Sequence, residues 1–184
     1  MRYIGSKAKI LDFIDNTIMQ TFGAIDGATV ADLFAGTCSV AEMFKHKNAS
    51  VLTNDYLWFS YALQTARVKL NAEPLCNISY PVAIEQLNAL EGVDGFFFQE
   101  YTVEGTAHSK YSRNYFECEN ARKIDAICLQ MANWKKGNFI SDDMYFLLSA
   151  SILNSPPTSY LPVRRLQSSD GGKQFPPSLC VICV

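Results

Sequence analysis

No apolar run in this chain approaches the roughly 20 residues that a helix needs to cross a bilayer. The opening stretch Met1 to Lys9 is basic and leads into an amphipathic pattern with Asp12 and Asp15 rather than a continuous apolar region, so it is no secretory leader. Histidine is scarce: His46 and His108 have no partner pattern and read as surface or loop residues. The six cysteines, Cys38, Cys76, Cys118, Cys128, Cys180 and Cys183, form no framework. Cys180-x-x-Cys183 is half a zinc pattern without its second half, so no metal is expected. These absences predict a soluble cytoplasmic protein with free thiols, several of them filling core space. Charge of one sign is also lacking. The formal net charge is −2, so any attraction to nucleic acid must come from a local basic patch.

With 184 residues, 48% of them hydrophobic, the chain has material for a domain of ordinary size with a real core. Its organising stretch is Ala31-Asp32-Leu33-Phe34-Ala35-Gly36-Thr37. The apolar run Ala28 to Phe34 reads as a buried parallel strand, Ala35 to Ser39 as a tight turn, and the residues to about Lys47 as a helix. Backbone N–H groups at such a turn are expected to be free for a ligand, and Gly36 lets it approach closely. A second strand, Ser50 to Asp55, ends in an acid about 20 residues after the first, where doubly wound folds hold a ribose hydroxyl. Asp55 also reads as an N-cap for the helix that follows.

The remaining elements follow from caps and spacing. Ser6 caps a helix from about Lys7 to Phe22 with Ile10, Leu11, Ile14, Ile18 and Met19 on one face. Gly23 and Gly27 bracket a turn. Leu57 to Leu70 reads as a helix with an aromatic start, and Pro81 to Leu90 as another with proline in its first turn. Phe96 to Phe98 reads as a short, at least partly buried segment, and Tyr101 to Asn114 as a long loop. Helices are expected over Glu117 to Lys135, with Ala121, Ile124, Ile127, Cys128 and Met131 on one face, and from Asp142 to Leu153, capped by Ser141. Ser155 to Val184 carries Pro156, Pro157, Pro162, Pro176 and Pro177 with no helical or strand period, and is expected to be poorly ordered.

Three stretches line up in order. Arg2-Tyr3-Ile4-Gly5-Ser6-Lys7, Asp32-Leu33-Phe34-Ala35-Gly36-Thr37 and Asn54-Asp55-Tyr56 together resemble the N-terminal half of the DNA adenine methylases, adenine-N6-specific methyltransferases found in restriction–modification systems. Arg113-Asn114-Tyr115-Phe116 and Glu119 to Asp125 look like a segment of one branch of that family, so the resemblance spans roughly residues 1 to 154. It implies an α/β fold, an incomplete doubly wound, Rossmann-like S-adenosylmethionine-dependent methyltransferase sheet with an inserted helical recognition subdomain. The domain plan is then 1–80 for the cofactor, 81–154 for DNA target recognition, and 155–184 as an atypical tail.

The resemblance also implies roles. Tyr3 lies against S-adenosylmethionine, and Lys7 meets its methionine part, where an ammonium neutralises a carboxylate. Asp32, Phe34, Ala35, Gly36 and Thr37 form the cofactor loop, and Asp55 accepts from the ribose hydroxyls. Lys110, Arg113, Arg122 and Lys123, with Lys135 and Lys136, are candidates for phosphate contacts on double-stranded DNA. Taken singly, Tyr3 reads as a core aromatic, Lys7 as a solvated helix-start residue and the paired basic residues as solvated helix faces.

Two departures stand out. Cys38 occupies the position where the family shows a second glycine. The Asp-Pro-Pro-aromatic catalytic segment, which binds and stacks on a flipped adenine, has only Ser155-Pro156-Pro157-Thr158 as a near match, with threonine where the aromatic belongs. It reads as a decoy, and the tail beyond Asn154 as foreign or out of frame, which sequencing across the Asn154 codon tests. Methyl transfer by this chain alone is therefore in doubt. The alternatives are a DNA- or partner-binding remnant, and an NAD-dependent oxidoreductase, which would need a Gly-x-Gly-x-x-Gly pattern of which only Gly36 is present.

Overall fold

A computed structural model of the chain describes residues 6–154 and the backbone of residues 180–182. Tyr3, Ser155, Pro156 and Pro157 lie outside the described residues, as does most of the stretch on which the expectation of a poorly ordered tail falls. The fold is mixed α/β, and the described residues divide into two units, one running to Pro74 and including the final strand, the other beginning at Leu75. Among the described residues no helix is long and apolar enough to cross a membrane.

In the first unit, Ser6 accepts a hydrogen bond from the amide of Ala8 and opens a 3-10 turn, Lys7–Ile10, that runs into α1, Leu11–Phe22. Gly23, at φ +76, ends α1 and returns its N–H to the Met19 carbonyl. Strand β1, Thr29–Asp32, is followed by α2, Ser39–His46, β2, Ser50–Thr53, and α3, Trp58–Gln64. Helix α3 continues as a π-turn, Thr65–Lys69, in which the Leu70 amide reaches the Thr65 carbonyl at 3.0 Å. The sheet has the order β1-β2-β3, with β3 spanning Cys180–Ile182, and both pairings are parallel. Thr29 stands opposite Ser50, Asp32 opposite Thr53, and Thr53 opposite Ile182.

Strand β1 departs from the expectation of a buried run to Phe34. It is four residues long and alternates exposed and half-buried positions. Leu33 and Phe34, just past its end, are 59% and 80% exposed. Among the described residues β1 is an edge strand, with β2 on one side and no described strand on the other. Strand β2, between neighbours, buries Val51 and Thr53. These two join Ala41, Phe44, Ala62, Leu63 and Val68 among the buried residues of this unit.

The second unit is helical. It holds α4, Tyr80–Ala89, with Pro81 in the first turn, α5, Phe96–Tyr101, α6, Cys118–Lys136, and α7, Asp142–Leu153. Ser141 caps α7 by accepting from the Met144 amide, as its sequence position predicts. Ile78, Ala83, Leu87, Ile127, Met131, Ile140, Met144 and Leu148 make one core cluster from α4, α6, α7 and their flanks. Phe96 to Phe98, expected as a short, at least partly buried segment, opens helix α5, with Phe98 buried and Phe96 exposed. The cause is remote: the buried Asp125 carboxylate of α6 accepts from the amides of Phe97 and Phe98, both at 2.9 Å. It caps the turn from another helix.

Candidate functional site

The carboxyl ends of two neighbouring parallel strands are where an open α/β sheet leaves room for a ligand. At the ends of β1 and β2 the backbone is held by bonds the sequence does not display. The Ala35 amide donates to the Asn54 carbonyl (3.0 Å), and the Asn54 amide to the Asp32 carbonyl (3.0 Å). Gly36, at φ +52, donates its N–H to Asp55 Oδ2 (2.8 Å) and accepts at its carbonyl from the Ser60 hydroxyl (2.7 Å). The other oxygen of Asp55 accepts from the Leu57 amide at 3.0 Å; the N-cap of α3 is Leu57 itself, with no side-chain cap, so Asp55 fixes the turn leading into the helix rather than capping it as expected.

The turn therefore differs from the expectation of free amides. Ala35, Gly36 and Cys38 all spend their N–H groups internally, the last on the Ala35 carbonyl at 2.7 Å. A tight turn that must hold a left-handed glycine between two strands does so with its own hydrogen bonds. The open donors lie just beyond it. Cys38, the residue before α2, makes no side-chain cap, so the first amides of α2 lack intrahelical partners. Ser39 and Val40 at that helix start line a shallow, open cleft together with Lys7, Ala35, Gly36 and Thr37.

The polar groups of the cleft are linked. The hydroxyls of Ser6 and Thr37 lie 3.3 Å apart, and those of Thr37 and Ser39 3.1 Å apart. Lys7 is exposed and makes no ion pair among the described residues. Asp32 is half-buried, and burial pushes its carboxyl above the usual range. The Phe34 amide and the Lys7 ammonium oppose that rise, while the negative charge of Asp55 adds to it. Asp32 thus feels both Lys7 and Asp55, and Lys7, Gly36 and Thr37 share one cleft. Phe34, at the same strand end, is turned largely to solvent.

Cys38 has φ +62 and no exposed surface. This is the left-handed region, where glycine is relaxed and a side chain costs about 1–2 kcal/mol. The position thus has a backbone reason for glycine, and the chain keeps a buried thiol there instead, pushed up to about 12 by burial.

The donor set suits a ligand carrying a carboxylate and a sugar diol. Lys7 supplies an unpaired ammonium, and α2 supplies open amides at its positive end. Asp55 uses two of the roughly four acceptor positions of a carboxylate on the backbone, leaving two for hydroxyl donors.

The basic candidates lie in the second unit and are unequally free. Lys110 is exposed, its ammonium 5.3 Å from the Tyr111 ring centroid. Arg113 pairs with Glu100 at 3.1 Å. Arg122 stacks on Phe98 at 4.0 Å and holds Asp94 at 2.5 Å and Glu104 at 3.2 Å. Lys123 donates to the carbonyls of Asn88 (2.7 Å) and Leu90, tying α6 to the end of α4. Arg122 and Lys123 are therefore engaged by the helical unit itself. Sequence reasoning missed Asn54 and Ser60. The first adjoins Asp55, and the second lies in the helix that follows Asp55, which was the available signal.

A family model described as D12 class N6 adenine-specific DNA methyltransferase matches residues 3–148. The chain is 32% identical over 154 residues to the Type II methyltransferase M.NlaIII of Neisseria lactamica, covering 83% of this chain and 44% of that protein. It is 35% identical over 160 residues to the Type II methyltransferase M.FokI of Planomicrobium okeanokoites, covering 85% and 24%. It is 37% identical over 163 residues to the modification methylase LlaI of Lactococcus lactis subsp. lactis, covering 84% and 25%. The chain thus spans less than half the length of these relatives. No solved structure matches it.

Proposed function

Since the chain belongs to the D12 class N6 adenine-specific DNA methyltransferase family, we propose that its first unit binds S-adenosylmethionine at the cleft beside β1 and β2. The strands β1, β2 and β3 are then the described part of a doubly wound, Rossmann-like methyltransferase sheet. The observation that carries the reading is the convergence of Lys7, Gly36 and Thr37 on one cleft, with Asp55 bound to Gly36.

When bound, the cofactor supplies an electrophilic methyl group to a nucleophilic amino nitrogen. Lys7 neutralises its carboxylate, and the first amides of α2 add donors at the positive end of a helix. Asp55 accepts from the ribose hydroxyls with the lone pairs its backbone bonds leave open. Asp32 stays near the bound group as a half-buried carboxylate whose charge Lys7 balances. Tyr3 and Phe34 supply aromatic surface. The helical unit, residues 81–154 in outline, reads as the target-recognition part, with Lys110 and Arg113 against phosphates of double-stranded DNA.

The sequence contains no Asp-Pro-Pro-aromatic segment, and the proposed role is therefore cofactor and target binding rather than methyl transfer by this chain alone. Calorimetry with S-adenosylhomocysteine and with NAD tests the site: the first is expected to bind and the second not. A folded chain that ignores S-adenosylhomocysteine overturns the reading, and DNA binding without it favours a DNA-binding remnant. Labelled-methyl transfer to DNA is expected to be absent, and robust incorporation would refute that expectation.

A further inference from the structure

Gly36 is held from both sides. Its N–H is taken by Asp55, as described, and its carbonyl by Ser60, which is fully buried on α3. A serine hydroxyl has one hydrogen to give. The Gly36 carbonyl can only accept, so that hydrogen is committed to it. The group facing the other side of Ser60 must then be a donor, and it is: Gln64 Nε2, one helical turn on, lies 3.2 Å from Ser60 Oγ. Gln64 is itself buried, and its Oε1 has no partner. Leaving a buried amide oxygen unpaired is costly. The fold accepts that cost in the residue that orients the Ser60 hydroxyl.

We infer that Ser60, oriented by Gln64, is a positioning residue for the cofactor turn: it aims the Gly36 carbonyl away from the cleft and keeps the left-handed turn in the shape that the ligand meets. Ser60 does not line the cleft, and acts through Gly36. The inference rests on the cofactor site proposed above. Without the Ser60 bond the Gly36–Thr37 peptide is free to rotate, because Asp55 restrains only the peptide on the other side of Gly36. Gly36 is the residue least able to resist that rotation, since glycine populates many backbone conformations.

The test is calorimetry with S-adenosylhomocysteine on the full chain, paired with urea unfolding. Ser60→Ala is expected to weaken binding about fivefold to tenfold, the weight of one buried hydrogen bond. Ser60→Thr keeps the hydroxyl and is expected to stay within about threefold of the unsubstituted chain. If the unsubstituted chain does not bind, the cofactor reading itself fails. If it binds and Ser60→Ala binds equally well, the positioning role fails. Equal losses in Ser60→Ala and folded Ser60→Thr would assign the effect to packing and overturn the inference as well. Should Ser60→Ala not fold, Gln64→Met is read in its place, since it removes only the orienting amide, and an unchanged affinity there refutes the role.

Discussion

Replacing Asp55 separates what this carboxylate does for the fold from what it does for a ligand. Asp55→Ala removes the acceptor of two backbone amides, Gly36 at 2.8 Å and Leu57 at 3.0 Å. The Gly36 bond is partly buried and charge-assisted, and its loss leaves a donor without water, at about 1.5–3 kcal/mol. The Leu57 bond is exposed, so water replaces it and the loss resembles that of an N-cap, about 0.5–1 kcal/mol. The sum is about 3 kcal/mol, a large share of the 5–15 kcal/mol that holds an ordinary domain. With a urea slope of about 2 kcal/mol/M, the unfolding midpoint of the first unit should fall by about 1.5 M. Asp55→Asn keeps one acceptor oxygen and should lose about 1 kcal/mol. Both variants should lose S-adenosylhomocysteine affinity more than about tenfold, because an amide gives the ribose diol one acceptor where a carboxylate gives two. An Asp55→Ala chain whose unfolding free energy matches that of the parent within 0.5 kcal/mol, on the order of a surface substitution, would refute the reasoning.

Burial raises the Asp32 carboxyl, so its ionised form costs stability at neutral pH, and the cost vanishes as pH falls below the unfolded carboxylate range near about 4. Asp32→Asn, which can still accept from the Phe34 amide, should therefore raise the melting temperature at pH 7, with the gain shrinking toward zero near about pH 3; a pH-independent change would contradict this. Lys45 is 2% exposed and donates to the carbonyls of Val68 (2.7 Å) and Leu70 (2.8 Å), closing the π-turn. Lys45→Met should cost about 2–4 kcal/mol in urea unfolding by orphaning these acceptors, and a neutral result would sink that assignment. Lys110→Ala should weaken DNA binding evenly across sequences and reduce the salt slope by about 1. An unchanged slope would remove Lys110 from the interface.

Local signals carried much of the fold. Ser141 before α7, Pro81 in the first turn of α4 and Ser6 before α1 act through neighbours three residues away or fewer, and short-range chemistry is written in order along a chain. The Asp55 bond to the Leu57 amide is equally local, though it shapes the turn before α3 rather than capping the helix. The second bond of Asp55, to Gly36, was not legible, because it joins residues 19 apart in sequence. The helical turn at Phe96 was hidden for a like reason, since the capping Asp125 lies on another helix. The exposure of β1 depends on what packs over its faces, and a run of apolar residues does not state its neighbours. The burial of Lys45 likewise depends on the π-turn returning two carbonyls to α2.

The division at Pro74 has a practical consequence. The chain has two tryptophans, and each unit holds one of them. Trp58 stands 75% exposed at the start of α3, edge-on to Tyr61. Trp134 packs against the α4–α6–α7 core and Phe139. A hydrated indole emits to the red of a packed one, so in a chain whose only tryptophan is Trp134 the melting of the helical unit is read as a red shift. Trp58, already largely hydrated in the folded chain, shifts little on melting and reports instead on whatever comes to cover the start of α3.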